Sequence, residues 1–287
     1  MSVLGARGVR GPLLFLAALT VAAVVGPALW SADPSAIGDV LATRLLPPGA
    51  TDAGGAWHPL GTDRFGRDLL ARTLVAARLS LAVGVAGSVL SGALGTALGA
   101  WAAWRGGVTD LAVTALADAL LAVPRIVLLL VVAALWGPGA VTTVAVLAVT
   151  GWMGVARLVR AEVLGVRRRD FVDGARALGA TDARLLWRHV VPNALGAALV
   201  ATSLGVGNAI LLESGLSFLG LGIQPPAPSW GNLIAGGREL IITAPWVALV
   251  PGLALVATVL ACTRLGDAVR DRLAGETAGV RLPVERA

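Results

Sequence analysis

The chain has no lysine and no tyrosine, one cysteine, and two histidines among its 287 residues. Each shortage closes off a class of function. A phosphate-binding P-loop needs a lysine to reach the β- and γ-phosphates, so the chain carries no such nucleotide site. Schiff-base chemistry needs a lysine amine and is excluded too. Cys262 alone allows neither an internal disulfide nor a cysteine-rich metal site, and it reads as a small apolar packing residue. His58 and His189 lie far apart, with no triad or metal-ligand spacing around either. The chain is therefore expected not to be an enzyme, and to hold no catalytic residue, metal or cofactor of its own.

Charge is also scarce. Charged residues make up 14% of the chain, against about 25% in a soluble domain. In their place stand uncharged runs at 11–32, 79–104, 126–156, 189–212, 214–237 and 240–263. A membrane-spanning helix needs about 20 mostly apolar residues, so the chain reads as an all-α, multi-pass membrane protein. Six spans are expected: 12–30, 79–104, one from near Asp110 through Pro124, 140–159, 193–212 and 245–263. Gly137-Pro138-Gly139 marks the turn between the third and fourth, and the Gly- and Pro-rich run 214–237 reads as a loop. The first run follows Arg7 and Arg10 as a signal peptide would. It is span-length, however, and has no small-residue cleavage site, so an uncleaved helix is expected.

Arginine placement gives the orientation. With the N-terminus inside, sixteen arginines fall in inner segments and six in outer ones, with Arg125 inside a span. The positive-inside rule then favours both termini in the cytoplasm. The basic balance is thus explained by topology, and no basic patch with interleaved aromatics suggests nucleic acid. The expected organisation is a first helix and external segment (1–78), a transmembrane core (79–265) with a cytoplasmic loop at 160–192, and a cytoplasmic tail (266–287).

The second span carries two rails of small residues at i,i+4 spacing. One is Gly84, Ser88, Gly92, Thr96 and Ala100; the other is Gly87, Ser91, Gly95 and Gly99. Small faces let membrane helices approach closely, which places this helix at the centre of a bundle. The third span holds Asp118, Pro124 and Arg125. Asp118 and Arg125 share a helical face but stand ~10 Å apart along the axis, so they are not expected to pair. Pro124 is expected to kink the helix. Intramembrane charges face protein or water, and Asp118, Arg125 and Glu213 fit either a translocation route or buried packing contacts. Glu213 is expected to close the fifth span near the outer side.

Residues 170–193 are polar, basic and patterned for helix. Phe171, Ala175 and Leu178 fall on one apolar face. Gly179 is placed to end that helix in the left-handed conformation. Thr181 can cap a second helix with Asp182 in its first turn, and Pro192 suits the first turn of the next span. By pattern alone this pair fits an interfacial helix with snorkelling arginines.

A resemblance points elsewhere. The segment resembles the cytoplasmic loop of ABC importer permeases, whose "EAA" motif reads Glu-Ala-Ala, three residues, Gly and, further on, Leu-Pro. Here Asp173-Gly174-Ala175, Gly179 and Val191-Pro192 stand at those positions. Two other stretches are similar to the C-type subunit of dipeptide/oligopeptide/nickel permeases. One is His58-Pro-Leu-Gly-Thr-Asp-Arg-Phe-Gly-Arg-Asp68 with Ala77-Arg78-Leu79-Ser80-Leu81. The other is Leu216-Ser-Phe-Leu-Gly-Leu-Gly222 with Gln224-Pro-Pro-Ala-Pro-Ser-Trp230-Gly231. In the first of these, Arg64/Asp68 and Asp68/Arg72 are spaced for weak i,i+4 pairs.

The resemblance implies a type I ABC importer permease fold in a bacterial or archaeal inner membrane. It implies a homologous permease completing the pore, two ATPase subunits that use the ATP, and an external solute-binding protein. The solute would be a peptide, or nickel or a related small solute, moved by alternating access. Phe171, Asp173, Gly174, Ala175, Leu178, Gly179 and Pro192 would belong to the ATPase-coupling loop. Asp173 is a shorter acid than the motif's Glu, and Gly174 gives up ~1 kcal/mol of helix propensity. Two other readings of the residues stay open at this stage: an ion-coupled transporter relaying through Asp118, Arg125 or Glu213, and a membrane scaffold that recruits a cytoplasmic partner.

Overall fold

The structure is a computed structural model and describes residues 7–30, 33–34, 37 and 39–278. In chain order come α1 (Arg7–Leu29), α2 (Val40–Thr43), β1 (Ala50–Thr51), β2 (Trp57–His58), α3 (Leu69–Arg105), α4 (Gly107–Leu121), α5 (Arg125–Trp136), α6 (Ala140–Arg167), α7 (Asp170–Ala177), α8 (Asp182–Leu185), α9 (Val191–Phe218), α10 (Trp230–Gly237) and α11 (Trp246–Ala278). A π-helical turn, Leu186–Val190, joins α8 to α9. β1 and β2 form a small antiparallel pair, with Ala50 opposite His58.

Among the described residues, five helices are long and apolar enough to cross a membrane: Val9–Leu29, Leu69–Arg105, Ala140–Arg167, Asp182–Phe218 and Trp246–Arg272. The pair α4–α5 is long and apolar enough only when taken together, and it is bent by 94° at the break between them, as a broken span or a re-entrant loop is. The third expected span is therefore broken rather than kinked. Pro124 sits in an extended conformation (φ −52°, ψ 124°) at the N-cap of α5. Proline also disfavours helix at the residue before it, here Val123; α4 stops at Leu121, short of it, and α5 sets out in a new direction.

Helix ends differ from the hydropathy reading for a common reason. Hydropathy stops at the first charge, whereas a helix stops at a cap. α3 begins at Leu69, where the Asp68 carboxylate accepts from Ala71 N at 2.8 Å. α9 runs past Glu213 to Phe218, so Glu213 lies inside the helix and does not close it. The run 214–237, expected to be all loop, holds the end of α9 and all of α10, which starts with a Ser229/Asn232 capping box. The expected boundaries at 78/79 and 265/266 fall within α3 and α11. The Gly137-Pro138-Gly139 turn is present, with Gly137 and Gly139 at positive φ and Gly139 N donating to Gly222 O at 3.0 Å.

The two rails of α3 serve two different neighbours. Gly84 stands against Ile210, Gly92 against Thr202, and the Ser88 hydroxyl donates to Thr202 O at 2.8 Å, all on α9. Gly87 stands against Leu147, Gly95 against the Trp152 carbonyl and Gly99 against that of Ala156, all on α6. In lipid, where water exclusion between helices contributes little, backbone-to-backbone packing of this kind holds the bundle together. α3 is thus the central post between α6 and α9, and α1 and α11 pack on its other flank through a buried cluster that includes Ala23, Ala76, Ile210 and Leu255.

Candidate functional site

The segment between α6 and α9 folds as a rigid corner. α7 ends in a complete Schellman motif: Gly179 has φ +84°, Gly179 N donates to Arg176 O at 3.0 Å, and Ala180 N donates to Ala175 O at 3.1 Å. The Thr181 hydroxyl then caps α8 by accepting from Arg184 N at 3.4 Å. α8 continues through the π turn into α9, with Pro192 in the first turn of that helix. The second loop helix and the following span are therefore one continuous lever of residues 182–218.

One face of this corner is anchored. Val172, Leu185, Leu186 and Val190 are buried against Ala103 and Trp104 of α3 and Val159, Val163 and Val166 of α6. Arg167 closes the open C-terminus of α3, its Nη1 donating to Ala103 O (3.2 Å) and Trp104 O (3.0 Å), while its guanidinium lies over the Trp104 ring at 5.4 Å. Cations are favoured at helix C-termini, and Trp is the best cation–π partner. Arg176 also reaches that ring at 6.0 Å and pairs with Asp173 at 3.1 Å.

The expected Phe171–Ala175–Leu178 face is split. Ala175 packs inward beside Val172, while Phe171 is 42% exposed and Leu178 91% exposed. The anchor residue that pattern reading missed is Val172. Its burial depends on the angle at which α7 leaves α6, and three apolar positions on so short a helix do not specify that angle. Asp173 and Gly174 are exposed, and the space around Gly174 is open.

Within the spans, Asp118 pairs with Arg157 at 2.7 Å, and Asp110 makes a bidentate contact with Arg160, both bonds at 2.6 Å. These ties hold α4 to α6. As expected, Asp118 and Arg125 do not pair; instead Arg125 points between α3, α6 and α9. Glu213 is fully buried. Ser217 Oγ donates to it at 2.7 Å and accepts from Ile223 N at 2.9 Å, and Ser214 Oγ contacts it at 3.3 Å. Ser80 Oγ, also turned toward this carboxyl, accepts from Trp230 N at 3.4 Å. Glu213 thus pins the loop that precedes α10 to the tops of α3 and α9.

The segment before α3 is more ordered than a solvated loop. Asp68 pairs with His58 Nδ1 at 2.7 Å while capping α3, and His58 Nε2 lies 3.5 Å from Asp52. The expected Arg64/Asp68 and Asp68/Arg72 pairs do not form. Asp63 instead takes Arg67 at 2.8 Å and faces Arg72 at 3.5 Å, because capping directs the Asp68 carboxylate back into its own turn.

The bundle of five long helices and one bent pair, with a Gly-turned helix pair between α6 and α9, is a fold shared with a permease chain of an ABC importer. The chain belongs to the family described as binding-protein-dependent transport system inner membrane component, which matches residues 95–275. It is 43% identical over 225 residues to a putative peptide permease protein of Brucella suis, covering 77% of this chain and 74% of that one. It is 38% identical over 268 residues to the di/tripeptide transport system permease protein DppC of Pseudomonas aeruginosa, covering 93% and 88%. Its fold is similar to that of a chain of the inward-facing MetNI methionine ABC transporter, with TM-score 0.56 and 20% identity, over 71% of this chain and 95% of that one. A permease of this family is a multi-pass membrane subunit that works with ATPase and solute-binding partners.

Proposed function

We propose that this chain is one of two homologous permeases forming the pore of an ATP-driven peptide importer in a bacterial or archaeal inner membrane, with both termini in the cytoplasm. The peptide assignment is supported by the names of the relatives in Brucella suis and Pseudomonas aeruginosa; nothing comparable supports nickel. ATP binding and hydrolysis belong to two separate ATPase subunits, and this chain binds no cofactor. A solute-binding protein delivers peptide from outside.

The observation that carries the coupling mechanism is the two-faced corner. Val172, Leu185 and Val190 fix it to the bundle, while Phe171, Asp173, Gly174 and Leu178 are exposed to a soluble partner. The ATPase subunits close on ATP and pull on α7. The capped Gly179 turn passes that displacement to residues 182–218, a lever that packs along α3 and carries Glu213 near its far end. Rocking of that lever turns the pore from inward- to outward-facing, where it receives peptide. Two features count against a relay of ions through the charged residues: Asp118 is tied to Arg157, and Glu213 is enclosed by serines.

Reconstitution tests the proposal. Proteoliposomes holding both permeases, both ATPases and the binding protein should accumulate peptide only with ATP. Uptake that persists without the ATPase subunits, or that survives deletion of the Gly179 turn, would overturn it.

A further inference from the structure

Arg125 is the one mid-membrane cation on the α4–α6 side whose charge meets no carboxylate among the described residues. Arg157 and Arg160 of α6 pair with Asp118 and Asp110 of α4. Its Nε is buried without a hydrogen-bond partner. The guanidinium lies at a cavity of about 230 Å³ between α3, α5, α6 and α9, of mixed lining: Ser88, Ser91, Thr202 and Asn208 on the polar side, Leu147 and Val155 on the apolar. Gly151 makes the room: a β-carbon there would lie 2.9 Å from Arg125 Nη2 and 2.7 Å from Ser91 Cβ. Ser91, Gly151 and Thr202 each fall near the middle of their helix's apolar run, which sets this cavity at the depth of the bilayer centre.

An unpaired cation at that depth is costly, and such residues face solute routes or partners. The cavity is smaller than the ~300–1,000 Å³ of pockets that enclose a whole small molecule, so it fits the end of a solute rather than the whole. Guanidinium binds carboxylate bidentately, and the Asn208 amide at the same cavity can donate to the same anion, whereas the Ser88, Ser91 and Thr202 hydroxyls donate to backbone carbonyls.

We infer that Arg125 and its cavity form a mid-membrane subsite for the C-terminal carboxylate of the transported peptide. The inference rests on the peptide-importer reading and adds a chemical requirement to it. A free-acid peptide would satisfy Arg125 in passing; a peptide amidated at its C-terminus would not.

Two measurements on the complete transporter test it. In the first, trialanine uptake into proteoliposomes is compared for the wild type, Arg125→Gln and Arg125→Lys. Loss of one charge-assisted contact should lower Arg125→Gln uptake roughly tenfold or more. Arg125→Lys should recover part of that. The second needs no transport. Asn208→Cys, with Cys262→Ala, is labelled with anionic and cationic methanethiosulfonates. The anionic reagent should react faster, trialanine should protect the thiol, trialanine amide should protect it far less, and Arg125→Gln should abolish both preferences. Unchanged uptake by Arg125→Gln, or equal protection by acid and amide, would overturn the subsite. So would separation of the two permeases on Arg125→Gln substitution, which would make the counter-ion an acid of the second permease. If the wild type takes up no peptide at all, the importer reading fails, and the labelling result still decides whether a carboxylate site exists.

Discussion

Gly95 of α3 faces Trp152 of α6 so closely that a β-carbon on Gly95 would lie 2.5 Å from the Trp152 carbonyl oxygen and 2.7 Å from Val155 Cβ. The obstacle is backbone and a branched side chain, neither of which can swing aside. Gly95→Ala must therefore push α3 and α6 apart along the rail. Overpacking of this kind costs about 1–3 kcal/mol, and the expected result is a lower melting temperature and a lower yield of detergent-purified permease. Gly174→Ala is the control, since a β-carbon there meets open space. It should leave melting unchanged or slightly raised, because alanine favours helix by up to ~1 kcal/mol.

The Gly179 turn allows a sharper separation between conformation and contact. No atom lies within 4 Å of where its β-carbon would be, yet its φ is +84°. Any cost of substitution is therefore conformational, about 1–2 kcal/mol for a residue forced into the left-handed region. Gly179→Ala should fold but loosen the joint between α7 and α8, lowering the ATPase stimulation that loaded binding protein produces. Asn tolerates this conformation better than Ala, so Gly179→Asn should restore part of the stimulation. Equal coupling in all three proteins would mean that the turn transmits nothing.

The sequence reading and the structure agree where local chemistry is decisive. Gly179, Thr181 and Pro192 each act in their expected roles, because a left-handed cap, an N-cap and a first-turn proline depend only on near neighbours. The rails of α3 were legible as rails, since small residues at i,i+4 leave few other uses for a membrane helix. Which rail meets α6 and which meets α9 was not, because that depends on how helices pack in three dimensions. The same limit hid Val172, the Arg157–Asp118 and Arg160–Asp110 ties and the role of Asp68. Each depends on a partner 10 to 50 residues away or on the direction in which one helix leaves another. Hydropathy could not show that Pro124 breaks its span by 94°, since the composition on both sides is equally apolar.

The β1–β2 hairpin carries a pH prediction. The Asp52 carboxylate accepts from Ala56 N at 2.8 Å and Gly54 N at 2.9 Å, with His58 3.5 Å away. The Ala56 N–H, above all, holds its pKa below the usual carboxylate range. A folded-state pKa below the unfolded value of about 3.9 means that the carboxylate stabilises the hairpin at neutral pH, and that this is lost as pH falls through the folded value. Asp52→Asn should therefore melt lower than wild type at pH 7, and the gap should narrow as pH drops below about 4. A gap that is constant with pH would assign the effect to hydrogen-bond geometry alone.

Leu178 and Val172 lie six residues apart on the same loop and make opposite predictions. Leu178 is 91% exposed at the end of α7, whereas Val172 is fully buried against the bundle. Leu178→Glu places a charge where water already reaches, so the permease should melt within the error of wild type, since surface changes usually stay within about 0.5 kcal/mol. If Leu178 seats in a groove of the ATPase, the same substitution leaves a charge unpaired in that interface. Co-purification of the ATPase subunits should then fall sharply, by roughly tenfold or more for a loss of 2 kcal/mol. Val172→Glu puts its charge into the anchor instead. It should destabilise the corner by several kcal/mol and lower the melting temperature of the permease alone. The pair distinguishes a docking surface from a structural loop: a scaffold role for α7 without ATPase contact requires Leu178→Glu to leave the complex intact.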